Sequence, residues 1–185
     1  MVKKKACIFI SGSGTNLKAL LKSSREYNFP ININYIISNT KKAKGLSLAK
    51  LYNIPFCVLD LNKIINLEFF LKEIHRRKIS LICLAGYMKI LKKNFFNKFN
   101  GKIINIHPSL LPKYKGLNTH SRAIKKKDKF AGCTVHYVTA KLDSGKLIMQ
   151  KKIRISTTDN SVSLAKKVLK QEHKLYPAAI MKIFN

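Results

Sequence analysis

The sequence contains no tryptophan and very little acid: eight aspartates and glutamates stand against 37 lysines and arginines, for a formal net charge of +29. Arginine is scarce too, with five residues against 32 lysines. Base-edge readout and bidentate phosphate clamps favour the arginine fork, so this set of cations argues against specific nucleic-acid binding. The lysines run along the whole chain rather than gathering in one tract, and lysine, asparagine and isoleucine are abundant together, as in a chain of biased nucleotide composition. A diffuse positive field still attracts small anions. Long hydrophobic runs are missing as well. The apolar part of "MVKKKACIFISGSG" ends after about five residues, too short for a signal-peptide core or a bilayer span. The expectation is a cytoplasmic protein without membrane contact. The four cysteines, Cys7, Cys57, Cys83 and Cys133, stand singly in apolar stretches. Without a C-x-x-C spacing they suggest neither a zinc site nor a redox dithiol, and they read as buried, reduced thiols.

What is present is a globular composition: 185 residues, 46% of them hydrophobic, enough for one well-buried domain over 1–185. Strand-like runs lie at 6–10, 32–38, 56–59, 81–86 and 102–106, and helical patterns lie between them. Leu17, Leu20 and Leu21 share one helical face, and so do Leu67, Phe70, Leu71 and Ile74. Near-continuous apolar strands alternating with helices imply an α/β fold, a doubly wound, mostly parallel sheet with helices on both faces. After Gly132 two strand-like runs flank "KLDSGK", which predicts an antiparallel C-terminal hairpin extension, and a last helix is expected after Asp159 as its N-cap.

"SGSGTNL" follows the first strand and opens the first helix. Its glycines permit a tight turn and a close backbone approach, and unpaired N–H groups at the helix start favour an anion. No Lys-Ser/Thr follows, so it is not a Walker loop, and Leu17 stands where a dinucleotide fingerprint needs its third glycine. A phosphate on a small substrate is the preferred ligand for Gly14, Thr15 and Asn16; a plain strand-to-helix turn is the alternative.

"NIHPSLLPKYKG" (105–116) sets Asn105 and His107 two residues apart at the carboxyl end of a strand, so their side chains point to one side where open α/β sheets bind ligands. Pro108 and Pro112 stiffen the chain that follows. An amide N–H can donate to a developing oxyanion, and an imidazole can carry a proton. A carboxylate would support that imidazole, and among so few acids Asp143, in "LDSGK", is the best placed. His75, His120 and His136 read as structural. Glu172 falls among Ala165, Val168, Leu169 and Tyr176 on one helical face. A carboxylate there needs a cation or donor, either an internal ion pair or a substrate amine.

Taken in order, "SGSGTNL", "LAGYMKIL", "NIHPSLLPKYKGLNTH", "VHYVTAKLDSG" and "QEHKLYP" resemble the folate-dependent formyltransferase family over nearly the whole chain, and within it the branch acting on glycinamide ribonucleotide. The resemblance implies transfer of formyl from 10-formyltetrahydrofolate to the amine of 5'-phosphoribosylglycinamide in purine biosynthesis, by direct amine attack and without a metal. By motif, Asn105, His107 and Asp143 match the catalytic trio. Gly14, Thr15, Asn16, Gly86, Pro108 and Glu172 match substrate contacts. Lys63, Met88, Lys89, Ile90 and Leu91, with Asn105 and Thr139, Ala140, Lys141, Leu142 and Asp143, match the folate pocket. The implied partners are these small molecules alone, with no specific nucleic acid and no membrane, in a monomer or weak homodimer.

Three departures stand out. Lys89 replaces a usual arginine. "DSGK" replaces a usual Asp-Gly-Gly-Pro, so a more mobile loop is expected. The chain stops soon after "YPAAIMKIF", which is expected to touch stability or dimer contacts more than chemistry. Rival readings are a formyltransferase acting on methionyl-tRNA, whose relatives lack the "SGSGTN" loop, a formyltetrahydrofolate deformylase, and a repurposed basic binding protein.

Overall fold

In the computed structural model, which describes residues 2–184, the first strand β1 (Lys4–Ile10) is buried from Ala6 to Ile10. A strand apolar on both faces is the mark of the interior of a parallel sheet. The chain continues through α1 (Thr15–Ser24), β2 (Ile31–Ser38), α2 (Leu46–Leu51), β3 (Phe56–Val58), α3 (Ile64–Arg76), β4 (Leu81–Leu84) and α4 (Lys93–Lys98). Strand β5 (Lys102–His107) follows, then α5 (Thr119–Lys125), β6 (Phe130–Tyr137), β7 (Leu147–Arg154) and α6 (Ser161–Phe184). Two compact units divide within β5, Met1–Ile104 and Asn105–Asn185.

In the N-terminal unit the strand order is β3-β2-β1-β4, with the start of β5 next. The β1–β2, β1–β4 and β2–β3 pairs are all parallel. The predicted faces are buried: Leu17, Leu20 and Leu21 on α1, and Leu67, Phe70 and Ile74 on α3. Phe9 meets Phe70 edge to face at 5.4 Å and Tyr87 at 5.1 Å, while Phe70 stacks on Phe95 at 5.9 Å. Buried rings contribute about 1.5–3 kcal/mol each, and aromatic pairing adds about 1 kcal/mol. This cluster seats the segment that follows β4 through Tyr87.

The C-terminal unit carries the end of β5, then β6 and β7. The last two form the predicted antiparallel hairpin, with Thr134 opposite Gln150. Strand β6 is buried and β7 is largely exposed, with Lys151, Lys152 and Arg154 along it. Charges on an exposed strand oppose edge-to-edge association. Helix α6 covers both strands, burying Leu164, Val168, Leu175, Tyr176, Ala179 and Ile180. Ala165 and Leu169, expected on the buried stripe, are only half-buried, because the stripe is centred on Leu164 and Val168.

The expected N-cap is displaced by one residue. Asn160 Oδ1, not Asp159, accepts the Val162 and Ser163 N–H groups, both at 2.9 Å, and Ser163 Oγ accepts the Asn160 N–H in return. Asp159 instead accepts from Lys167, the Ser156 N–H and Ser163, which hold its carboxyl at about 2. Replacing a capping Asn by Ala costs about 1 kcal/mol. Asn160→Ala is expected to lower the unfolding free energy by that amount, read as a lower urea midpoint with an unchanged slope; a midpoint within error of the parent would show that the cap contributes nothing.

Candidate active site

Asn105 and His107 end β5, and Asp143 lies in the turn that joins β6 to β7. The hairpin connection thus brings an acid 36 positions away onto the histidine: Asp143 Oδ2 lies 3.4 Å from His107 Nδ1, with both side chains under 10% exposed. The other ring nitrogen, Nε2, is 2.8 Å from the Tyr114 carbonyl. A carbonyl only accepts, so Nε2 carries hydrogen and Nδ1 is the open position of the neutral ring. Asp143 is itself oriented by the Gly116 N–H, which donates to Oδ2 at 2.9 Å.

A second histidine completes the cluster. His136 Nδ1 donates to the Tyr137 carbonyl at 2.8 Å, which leaves Nε2 to accept from Asn105 Nδ2 at 3.3 Å. The same Nε2 is 3.5 Å from Asp143 Oδ1. One amide N–H of Asn105 is thereby directed, and the other is left to donate elsewhere. The sequence reading treated His136 as structural. Its signal was there in period two, since Thr134 and His136 share a face of β6, but nothing local says which face meets Asn105.

Rigidity of the 108–113 turn comes from the hairpin as much as from its prolines. Thr134 Oγ1 donates to the Ser109 carbonyl at 2.6 Å and accepts the Leu111 N–H at 3.1 Å. Gln150, its cross-strand partner, donates to the Leu111 carbonyl at 2.7 Å and to Thr134 Oγ1 at 2.9 Å. Ser109 Oγ donates to the Lys113 carbonyl at 2.6 Å. Neither Thr134 nor Gln150 was singled out in the sequence, because their role depends on strand register.

In the N-terminal unit the loop 11–16 is built against the start of α2. Gly14 adopts φ 76° as the N-cap of α1, and a Cβ on it would lie 2.6 Å from the Gly45 Cα. Gly45 in turn donates its N–H to the Gly12 carbonyl at 3.0 Å, and a Cβ there would meet Gly14 Cα at 3.0 Å. Two backbones at this distance leave room for no side chain, so Gly45 is a partner of the loop that sequence reading missed. Among the described residues helix α1 has no side-chain cap hydrogen bond and no acid in its first turn, and a helix start of that kind favours an anion. Ser11 Oγ accepts the Met88 N–H at 2.8 Å and donates to Asn39 Oδ1 at 2.5 Å, tying the loop to the segment after β4.

Within that segment Met88 and Ile90 are exposed, Lys89 is exposed and Leu91 is buried. Ile90 and Leu91 line a cavity of about 210 Å³ with Leu61, Asn62 and Ile64, the residues on either side of Lys63. Gly86, at φ 76°, is exposed just before it. In the C-terminal unit Thr139, Ala140, Lys141 and Leu142 are exposed in the turn that leads to Asp143, and Pro108 adjoins His107. Glu172 is buried on α6, where its charge, after burial itself, helps push the Cys133 thiol up to about 12. The four cysteines are free.

Burial holds His107 below the ordinary 6.5, against the Tyr114 carbonyl and Asp143, which act to raise it. His120 and His173 are lowered for the same first reason, burial. Burial works to raise the Asp143 carboxyl, yet the His136 ring, the Gly116 N–H and His107 hold it below the ordinary 3.8. A depressed group binds its proton more weakly folded than unfolded. Its contribution is therefore complete above the unfolded value and is lost as pH falls. Tm is expected to fall first as pH drops below 6.5 through the histidines and further below 3.8 through Asp143. Calorimetry against pH checks this, with His107→Gln expected to flatten the histidine part; an identical pH profile in that variant would exclude His107 as a contributor.

Comparison with known proteins now bears on this arrangement. The formyl transferase family model matches residues 4–180. A phosphoribosylglycinamide formyltransferase of Haemophilus influenzae is 42% identical over 184 residues, covering 96% of this chain and 85% of that protein. The human trifunctional purine biosynthetic protein adenosine-3 is 40% identical over 187 residues, but the chain spans only 18% of its length. Among solved structures, the phosphoribosylglycinamide formyltransferase of Brucella melitensis superposes with a TM-score of 0.91 at 38% identity, covering 98% of this chain and 95% of that one. That of Anaplasma phagocytophilum gives 0.89 at 40% identity, covering 95% and 84%. With its motifs, its mostly parallel strands and the family match over nearly all of its length, the chain belongs to the formyl transferase family.

Proposed function

We propose that this chain transfers the formyl group of 10-formyltetrahydrofolate to the amine of 5'-phosphoribosylglycinamide, as a single formyltransferase domain over 1–185. The observation that carries the reading is the cluster of Asn105, His107 and Asp143, a half-buried amide donor and a buried imidazole held beside a carboxylate. The names of the relatives support phosphoribosylglycinamide as acceptor and formyl as the group moved, and the folate donor rests on the motif resemblance.

In this mechanism the amine nitrogen attacks the formyl carbon, a new N–C bond forms, and the bond from that carbon to the folate nitrogen breaks. Asn105 uses the amide N–H not given to His136 to hold the carbonyl oxygen as it gains charge, and His107 adds a second polar contact to it. His107 also carries the proton that leaves the attacking amine and delivers it to the departing nitrogen, so no net proton is lost. Asp143 offsets the positive charge on His107 while it holds that proton. Each of these groups is fixed beforehand by the Tyr114 carbonyl, the Gly116 N–H and the His136 ring. Such preorganisation lowers the barrier because little reorients during the reaction.

Within the N-terminal unit, Gly14, Thr15 and Asn16 are the proposed phosphate loop and Gly86 a proposed substrate contact, while Lys63, Met88, Lys89, Ile90 and Leu91 are proposed folate contacts, Met88 and Ile90 with exposed apolar surface. Within the C-terminal unit, Pro108 and Glu172 are proposed substrate contacts, Glu172 toward the amine, and Thr139, Ala140, Lys141, Leu142 and Asp143 are proposed folate contacts.

The first test is formyl transfer to three acceptors, glycinamide ribonucleotide, initiator methionyl-tRNA and water. Turnover with glycinamide ribonucleotide alone is expected; transfer to tRNA or to water would keep the site and overturn the substrate. His107→Ala should lower kcat by a factor on the order of 10³ while far-UV circular dichroism stays that of the parent, and near-normal turnover would sink its role. Glu172→Gln should raise KM for glycinamide ribonucleotide more than it lowers kcat, and unchanged values for both would retire that contact. Gly45→Ala should weaken inorganic phosphate and glycinamide ribonucleotide alike with folate affinity unaltered. Parental phosphate affinity in that variant would mean that the Gly14–Gly45 approach does not shape the loop.

A further inference from the structure

The run "KKKDKFAG" ends a string of lysines on one aromatic residue, Phe130, which opens β6 with 42% of its surface exposed. The structure has a cleft of about 370 Å³ beside it, formed entirely within the C-terminal unit. Leu110, Ala123 and Ala131 line it with Phe130, and Thr119 and His120 bring a hydroxyl and a half-buried imidazole. Lys113, Lys129 and Lys152 also border it.

The charges here are not balanced. Among the described residues the one acid bordering the cleft is Asp128, already engaged by Lys113 Nζ at 3.2 Å and by the Tyr114 hydroxyl, which donates at 2.8 Å. Among the described residues Lys129 and Lys152 have no carboxylate partner, and Lys152 Nζ rests 4.0 Å from the Phe130 ring centroid. An apolar floor with two uncompensated cations at its border selects a ligand with a hydrophobic body and one negative group. The volume lies at the low end of small-molecule pockets, which are about 300–1,000 Å³.

Of the residues assigned to formyl transfer only Pro108 borders this cleft. Tyr114, another bordering residue, offers its carbonyl to His107 Nε2. Anything seated here therefore packs against the turn that holds the catalytic imidazole. We propose that the cleft is a second ligand site, taking a small amphipathic anion of one or two rings with a single carboxylate, sulfonate or phosphate, and that its occupancy alters turnover through the 108–114 turn. The effect on turnover rests on the transfer activity proposed above, whereas the binding does not.

The probe is 8-anilino-1-naphthalenesulfonate, titrated into the intact chain by fluorescence and calorimetry. One saturable site is expected, with a dissociation constant on the order of tens of micromolar, as ligand efficiencies for molecules of that size give. Ala123→Phe, which fills the floor, and the double variant Lys129→Glu with Lys152→Glu, which reverses the border, should each weaken it at least about tenfold. The double variant should keep parental turnover without probe. The double variant changes only exposed residues, so it carries the test if Ala123→Phe fails to fold.

Binding must persist with glycinamide ribonucleotide and a folate analogue at saturation. Displacement by either, or parental affinity in the double variant, would overturn the site. Displacement by a thymidine oligonucleotide with Ala123→Phe unaffected would overturn it in favour of a general polyanion surface. Saturation of the site with kcat and KM both unmoved would overturn the coupling to the turn. A chain inactive in transfer that still binds the probe at this site would count against the activity and not against the cleft.

Discussion

Holding one imidazole between two acceptors is the constraint around which the C-terminal unit is arranged. His107 has a backbone carbonyl on Nε2 and a carboxylate facing Nδ1. A carbonyl and a carboxylate cannot both be satisfied by a neutral ring, which has a single N–H. Burial opposes the extra proton and outweighs the two oxygens that favour it. In the proposed transfer this is the group assigned to carry the proton.

The balance demands positional accuracy from backbone that is not itself part of a helix or strand. Tyr114 and Asp143 both adopt left-handed φ values, 55° and 43°, to aim a carbonyl and a carboxylate at the same ring. Such conformations persist only where neighbours impose them. The Gly116 N–H holds the Asp143 carboxylate, and upstream of Tyr114 the residues Thr134 and Gln150, paired across β6 and β7, are bonded to both ends of the Ser109–Leu111 segment. The hairpin is thus more than an extension of the sheet: its register carries both the brace and, through its turn, the acid.

Much of this chain could be read in one dimension. The strands at 6–10, 32–38, 56–59, 81–86 and 102–106 match β1 to β5 within one or two residues at nearly every end, because buried parallel strands are almost uniformly apolar. The α1 and α3 faces follow from helical spacing. The short helices α2, α4 and α5, at six, six and seven residues, were not distinguished. One or two turns give periodicity too little length to register. The cap of α6 was misplaced by one residue because Asp159 and Asn160 are both good caps, and only the backbone direction decides which side chain reaches the Val162 N–H.

For the candidate site, residue type, strand-end position and the small number of acids pointed to Asn105, His107 and Asp143, which the fold brings near one another. The same signals could not single out His136, Thr134, Gln150 or Gly45, each of which matters through a contact at least 16 residues away in sequence. By itself, then, the sequence determined the alternation of elements, the apolar interior and the chemical groups available, because these are local properties of side chains. Tertiary structure alone decided which histidine nitrogen faces the carboxylate, which amide hydrogen is left to act and how closely two glycine backbones approach. Those depend on register and turn geometry to within tenths of an ångström, and hydrogen bonding is that sensitive to distance and angle.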